Sequence, residues 1–159
     1  MFDKCLGRAN EEVNYLLATD VMIIEDEMLI ASQLEVLLRS LGHKVTTVVR
    51  TAKQAIAAAK KQPPKLILSD IQLADGSSGV DAVAAIVCET PCPAVFITAF
   101  PERLLTGVRP EPTFLLTKPF KVEQIKAVVS QAVFFDTKIR WKLSSEELTG
   151  VLAQDWGGA

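Results

Sequence analysis

The sequence has no surplus of positive charge. Its 17 Lys and Arg stand against 19 Asp and Glu, a net charge of -2 over 159 residues. The chain as a whole therefore offers no basic face to a nucleic-acid backbone. It also lacks a hydrophobic run long enough to span a bilayer. The N-terminus has no basic region followed by an apolar core, which argues against a secretory signal and for a cytoplasmic protein. Cysteine is scarce, and Cys5, Cys88 and Cys92 form an odd set. Cys88 and Cys92 lie four apart, but no further Cys and a single His accompany them, so reduced thiols are expected rather than a zinc site. That one histidine, His43, sits in Leu41-Gly42-His43-Lys44 and reads as a surface turn residue rather than a ligand or a base. No internal repeat and no low-complexity segment is visible.

Hydrophobic residues, by contrast, make up 49% of the chain, enough for the core of one domain. They gather in short runs without a helical period, the pattern of strands buried on both faces. Val21-Met22-Ile23-Ile24 runs into Glu25-Asp26-Glu27, and Leu66-Ile67-Leu68-Ser69 into Asp70. Ala94-Val95-Phe96-Ile97 ends in Thr98, and Thr113-Phe114-Leu115-Leu116-Thr117 in Lys118-Pro119. A further strand is read over 44–49.

Helical spacing fills the intervals. Residues 27–41 carry Leu29, Ile30, Leu34, Leu37, Leu38 and Leu41 on one stripe and stop at Gly42. Thr51 caps an alanine-rich helix over 52–62, which Pro63-Pro64 ends. Residues 78–89 turn Val80, Val83, Ala84 and Val87 inward, and residues 121–134 do so with Val122, Ile125, Val128, Val129 and Val133. Between Phe100 and Gly107 there is room for little more than about two helical turns. Pro110-Glu111-Pro112 then forces an extended approach to the last strand. Strand and helix alternate five times, which predicts an α/β fold with a doubly wound five-stranded parallel sheet over 20–135. Short extensions flank it. In 1–19, Asn10 is placed to cap a helix bearing Val13, Leu16 and Leu17. In 136–159, Ser144 and Glu147 have capping-box spacing ahead of Leu148, Val151 and Leu152, read as a helix that packs back on the domain.

In an open α/β sheet, ligands gather at the carboxyl ends of the strands. Glu25, Asp26 and Asp70 would meet there. Carboxylates crowded in this way repel one another unless a cation is present. An all-oxygen set suits Mg²⁺, which takes one or two carboxylates together with phosphate oxygens. A carboxylate is also a competent nucleophile toward phosphorus. Lys118 and Mg²⁺ would neutralise the transferring group from two sides, and Thr98 would donate a hydrogen bond from a third. Each group has an ordinary alternative taken singly: a cap, a turn former, a strand-end hydroxyl, a surface lysine. All falling by chance at the ends of the right strands is a poor account of the set. Asp75 reads as a turn residue and Asp81 as first-turn helix charge.

Glu25-Asp26, Asp70, Thr98 and Lys118-Pro119 in this arrangement resemble the receiver domain of two-component response regulators, over about residues 20–135. The resemblance implies strand order 2-1-3-4-5, with Asp70 accepting a phosphoryl group from a sensor histidine kinase or phosphotransfer protein. It implies Mg²⁺ held by Asp26, Asp70 and the main-chain carbonyl of Gln72, with help from Glu25. Thr98 becomes the switch hydroxyl and Lys118 the phosphate-pairing lysine, with a cis Lys118-Pro119 bond. Phe96-Ile97-Thr98-Ala99-Phe100-Pro101-Glu102-Arg103-Leu104-Leu105-Thr106-Gly107, followed by Arg109-Pro110-Glu111-Pro112, is similar to PhyR-type general stress response receivers of alphaproteobacteria. It is similar also to their single-domain relatives named for a Phe-Ala-Thr-Gly-X-Tyr motif. Ile97 stands here for Ala, Ala99 for Gly, and Pro101 where Tyr would be. Three further departures are Ala74 in a loop one residue longer than usual, Leu115 where an aromatic is usual, and a short proline-flanked helix after the fourth strand.

The implied protein is a signalling module whose only chemistry is its own Mg²⁺-dependent phosphorylation and dephosphorylation. It would act through a downstream protein, as a monomer or weak dimer, in stress signalling. Residues 1–19 are too few for the sigma-like domain of a PhyR protein, so direct capture of an anti-sigma factor is not implied. The rivals are a receiver piece of a larger PhyR-like regulator and a pseudo-receiver that binds without phosphate. An aspartyl phosphatase is disfavoured by Gln72, which stands where such enzymes carry a second aspartate.

Overall fold

The computed structural model describes residues 18–104 and 113–136. The expected Asn10-capped helix, the Ser144–Glu147 capping box and the Pro110-Glu111-Pro112 approach to the last strand lie outside the described residues. The elements are β1 (Asp20–Ile24), α1 (Met28–Ser40), β2 (Lys44–Val49), α2 (Ala52–Lys61), β3 (Leu66–Ser69), α3 (Gly79–Glu89), β4 (Ala94–Thr98), a 3-10 turn (Pro101–Leu104) and β5 (Thr113–Thr117). Last comes α4, over 122–136. All strand pairings are parallel, and the order is β2-β1-β3-β4-β5.

Strand period two explains why the sheet is wound on both faces. Along β1, Val21 and Ile23 join one buried cluster while Met22 and Ile24 join the other. Along β4, Val95 and Ile97 alternate with Ala94 and Phe96 in the same way. Leu34 and Leu38 of α1, with Ile125 and Val129 of α4, cover the first face. Ala55 and Ala59 of α2, with Ala82, Val83 and Ile86 of α3, cover the second. The buried face of α2 is built from the small residues Ala55 and Ala59. Thr51 caps it by accepting a hydrogen bond from the Gln54 N–H, 3.2 Å.

Three apolar residues expected inside are not. Leu29 is 88% exposed, because the buried stripe of α1 runs Ala31, Leu34, Leu38 and Leu29 lies well round the helix from it. Ala84 is exposed for the same reason, the stripe of α3 being Ala82, Val83 and Ile86. Val122 opens α4 and is 41% exposed, while Ala132 further along is buried. His43 does lie in the turn between α1 and β2, but it is half-buried, which lowers its pKa. No described helix is long and apolar enough to cross a membrane.

Candidate functional site

The parallel ladder delivers the polar groups to one edge. The Asp70 N–H donates to Ile24 O, 2.9 Å, which extends the β1–β3 ladder one residue past the strands. The Glu25 N–H donates to Val49 O, 2.9 Å, and the Lys118 N–H to Thr98 O, 2.8 Å. The last residues of β1, β3, β4 and β5 are thereby fixed side by side. The Lys118-Pro119 bond is cis.

Asp70 is almost fully buried. Its Oδ1 accepts from the Ile71 N–H, 2.6 Å, and more weakly from the Gln72 N–H, 3.4 Å. Its Oδ2 accepts from Lys118 Nζ, 2.7 Å. That ammonium also lies 2.9 Å from Glu25 Oε2 and 3.4 Å from Glu27 Oε1. Glu25 is 2% exposed. Burial pushes its carboxyl above the ordinary range, against the pull of Lys118 and of the Glu27 N–H, which Oε1 accepts at 3.1 Å. Burial pulls the Lys118 ammonium down, but its bonds and charge contacts with Asp70 and Glu25 outweigh that, and the net shift is upward.

The expected trio comes together: Glu25, Asp26 and Asp70 each offer an oxygen, all within 4.8 Å of one another. Counting Glu27, four carboxylates gather at this edge, and three of them contact the one ammonium. Glu25 Oε2 is buried and makes no aligned hydrogen bond despite its ion pair. An all-oxygen set in charge excess, with one buried oxygen unsatisfied, is the donor chemistry that a hard divalent cation completes. Asp26, Asp70, Gln72, Ala74, Phe100 and Lys118 are among the residues that line a cleft of about 310 Å³ above the trio. Thr98 is fully buried, and its Oγ1 accepts from the Phe100 N–H, 3.1 Å, one strand from Asp70. The expected turn role of Asp75 is present: its Oδ1 accepts from the Ser77 N–H and Oγ–H at 3.0 and 2.6 Å, which holds its pKa down. Asp81 does lie in the first turn of α3.

Two residues carry more than sequence reasoning assigns them. Glu27 is the third partner of Lys118; its place in the run Glu25-Asp26-Glu27 was the available signal. Gly79 is more than the end of a loop. A Cβ there would lie 1.7 Å from Asp70 O and 2.6 Å from Ser69 Oγ. The loop itself closes as a tight hairpin. The Leu73 N–H donates to Ser77 O and the Gly76 N–H to Leu73 O, with Gly76 left-handed at φ 79°. Its Ser77 Oγ accepts from the Ala52 N–H, 3.1 Å, bracing the loop on the start of α2.

A parallel sheet of this order with an acidic cleft at its carboxyl edge defines a receiver-type signalling fold. Residues 21–130 match the family model of the response regulator receiver domain, and the chain belongs to that family, with a receiver of PhyR type. It is 52% identical over 136 residues to the phyllosphere-induced regulator PhyR of Methylorubrum extorquens, covering 85% of this chain and 51% of that protein. It is 30% identical to the transcriptional regulatory protein PdtaR of Mycobacterium tuberculosis, covering 71% of this chain and 56% of PdtaR. The chain thus spans about half the length of these relatives. Among solved structures, the PhyR response regulator of Brucella abortus shares 50% identity at TM-score 0.77, covering 91% of this chain and 60% of that one. The PhyR receiver of Erythrobacter litoralis shares 57% identity at TM-score 0.70, covering 74% of this chain and 92% of that one. In a further structure, Bartonella quintana PhyR, an anti-anti-sigma factor, is in complex with the anti-sigma factor NepR. That PhyR chain is 55% identical at TM-score 0.61, with coverage of 84% of this chain and 55% of it.

Proposed function

We propose that this chain is a phospho-accepting receiver that takes a phosphoryl group on Asp70 and passes the signal on by protein contact. One observation carries the reading: Asp70 lies at the floor of the acidic cleft, held between the Ile71 N–H and the Lys118 ammonium. A carboxylate so held is oriented for attack and kept from wandering. One Asp70 oxygen attacks the phosphorus of a phosphohistidine. The P–O bond forms as the P–N bond breaks, and the imidazole leaves with the electron pair. Lys118 gives up Asp70 for an oxygen of the arriving phosphoryl group. Glu25, Asp26, Asp70 and the Gln72 carbonyl would hold Mg²⁺, whose charge offsets that of the transferring group.

Thr98 is the switch group of this proposal. Its hydroxyl now accepts from the Phe100 N–H, so a turn toward the phosphoryl group releases that amide and carries the change into the 3-10 turn. The donor is a sensor histidine kinase or phosphotransfer protein. The downstream partner is a signalling protein in a stress pathway, as the PhyR relatives suggest. The working unit is residues 20–135 with its two extensions.

The test is intact mass after incubation with acetyl phosphate and Mg²⁺. Wild type should gain one phosphoryl group and Asp70→Asn none, a loss of labelling to background. Labelling that survives Asp70→Asn refutes the site, and an unlabelled wild type, repeated with a phosphorylated kinase as donor, refutes the function.

A further inference from the structure

Glu27 occupies the N-cap position of α1, yet its side chain makes no capping hydrogen bond. Its carboxylate turns instead toward Lys118 Nζ, 3.4 Å away. Glu27 and Asp70 thus each accept from one ammonium, with Glu25 in ion-pair contact beside them, and the three carboxylates differ in burial. The Glu25 and Asp70 side chains are 1% and 11% exposed, whereas that of Glu27 is 62% exposed. Glu27 lines the acidic cleft and also the adjoining groove of about 590 Å³ beside Ile30, Pro119 and Phe120. It therefore stands at the mouth, where an entering phosphodonor meets it before it meets Asp70.

We propose that Glu27 is a specificity-determining residue of this site, its carboxylate at the mouth of the cleft selecting against small dianionic phosphodonors. The inference rests on the phospho-accepting reading of Asp70. Two effects act in the same direction. The Glu27 charge repels a dianion at the entrance. It also occupies one Lys118 donor that an entering phosphoryl oxygen would otherwise take. A donor of lower charge meets less of the first effect.

The experiment compares wild type, Glu27→Gln and Glu27→Asp at saturating Mg²⁺, with initial labelling rates read by mass. Acetyl phosphate is the dianionic donor and phosphoramidate the donor of lower charge at neutral pH. Glu27→Gln should take label from acetyl phosphate about three- to tenfold faster than wild type at low salt, with the gain shrinking at high salt. Its gain with phosphoramidate should be smaller. Glu27→Asp, which keeps the charge, should stay near wild type. A Glu27→Gln rate that is unchanged, slower or insensitive to salt overturns the proposal, and so does a Glu27→Asp that behaves like Glu27→Gln. A wild type that takes no label from either donor overturns the phospho-accepting reading and this inference together, so the two failures are distinguishable.

Discussion

Glu25 shows most plainly what the site costs the fold. It is buried, its Oε2 lacks an aligned hydrogen bond, and its carboxyl is pushed up first by burial and also by the neighbouring Asp70 charge. A folded pKa above the unfolded one means that folding favours the protonated form. The stabilising contribution is therefore complete below the ordinary carboxylate range and is lost as pH rises through the raised value. Lys118 has the same sign, but its contribution is lost only at strongly alkaline pH. Ionising Glu25 therefore costs the folded, metal-free protein more than it costs the unfolded chain. Glu25→Gln should accordingly raise the melting temperature in EDTA at neutral pH, and its advantage should shrink as the pH falls and the wild-type carboxyl takes up its proton. On the proposed Mg²⁺ site, the metal should reverse the order, because the variant would lack one of its carboxylates. Thermal melts across pH, with EDTA and with Mg²⁺, check this. A Glu25→Gln that melts below wild type in EDTA at neutral pH would sink the argument.

At the scale of elements, the β3–α3 loop is where the backbone is held tightest around Asp70. The Gly79 N–H donates to Ile71 O, 2.8 Å, and the Ser69 Oγ–H donates to Asp70 O, 2.8 Å. No side-chain carbon fits at 79, so Gly79→Ala must displace the Asp70 main chain or the start of α3. The cost should reach or exceed the top of the ~1–3 kcal/mol range of ordinary overpacking, read by urea denaturation, and Asp70 labelling should fall with it. A variant as stable as wild type would mean that the loop yields easily. The order of elements was legible because strand runs and helical stripes have different periods, and the runs of β1, β3 and β4 are apolar on both faces. Glu25, Asp70 and Lys118 were legible because each directly follows a strand run, and Asp26 because it stands next after Glu25. Leu29, Ala84 and Val122 were misread because a stripe of apolar residues does not say where a helix meets the sheet. Glu27 and Gly79 were missed for another reason. One acts through a contact 91 residues away in sequence, the other through a steric limit visible only once the loop closes.

The described residues form one sheet with a core on each side, and β1, β3 and β4 each supply both. Phe96 is buried in the cluster under α2 and α3, Ile125 in the cluster under α1 and α4. Adjacent residues of β4, Val95 and Phe96, face opposite cores, so neither core can loosen without disturbing the strand that serves the other. Unfolding should therefore be a single cooperative event. Phe96→Ala should cost about 3–5 kcal/mol and Ile125→Ala about 2–5 kcal/mol, and each should shift the entire transition. Far-UV and near-UV circular dichroism, followed through the same urea titration, should give coincident curves for both variants. Neither side chain lines the acidic cleft, so on the proposed function the fraction that remains folded should take as much label on Asp70 as wild type. Two separated transitions in Ile125→Ala would show that α4 unfolds apart from the sheet. The faces would then be independent units, and the edge that carries Lys118 could be lost while the edge that carries Asp70 remained.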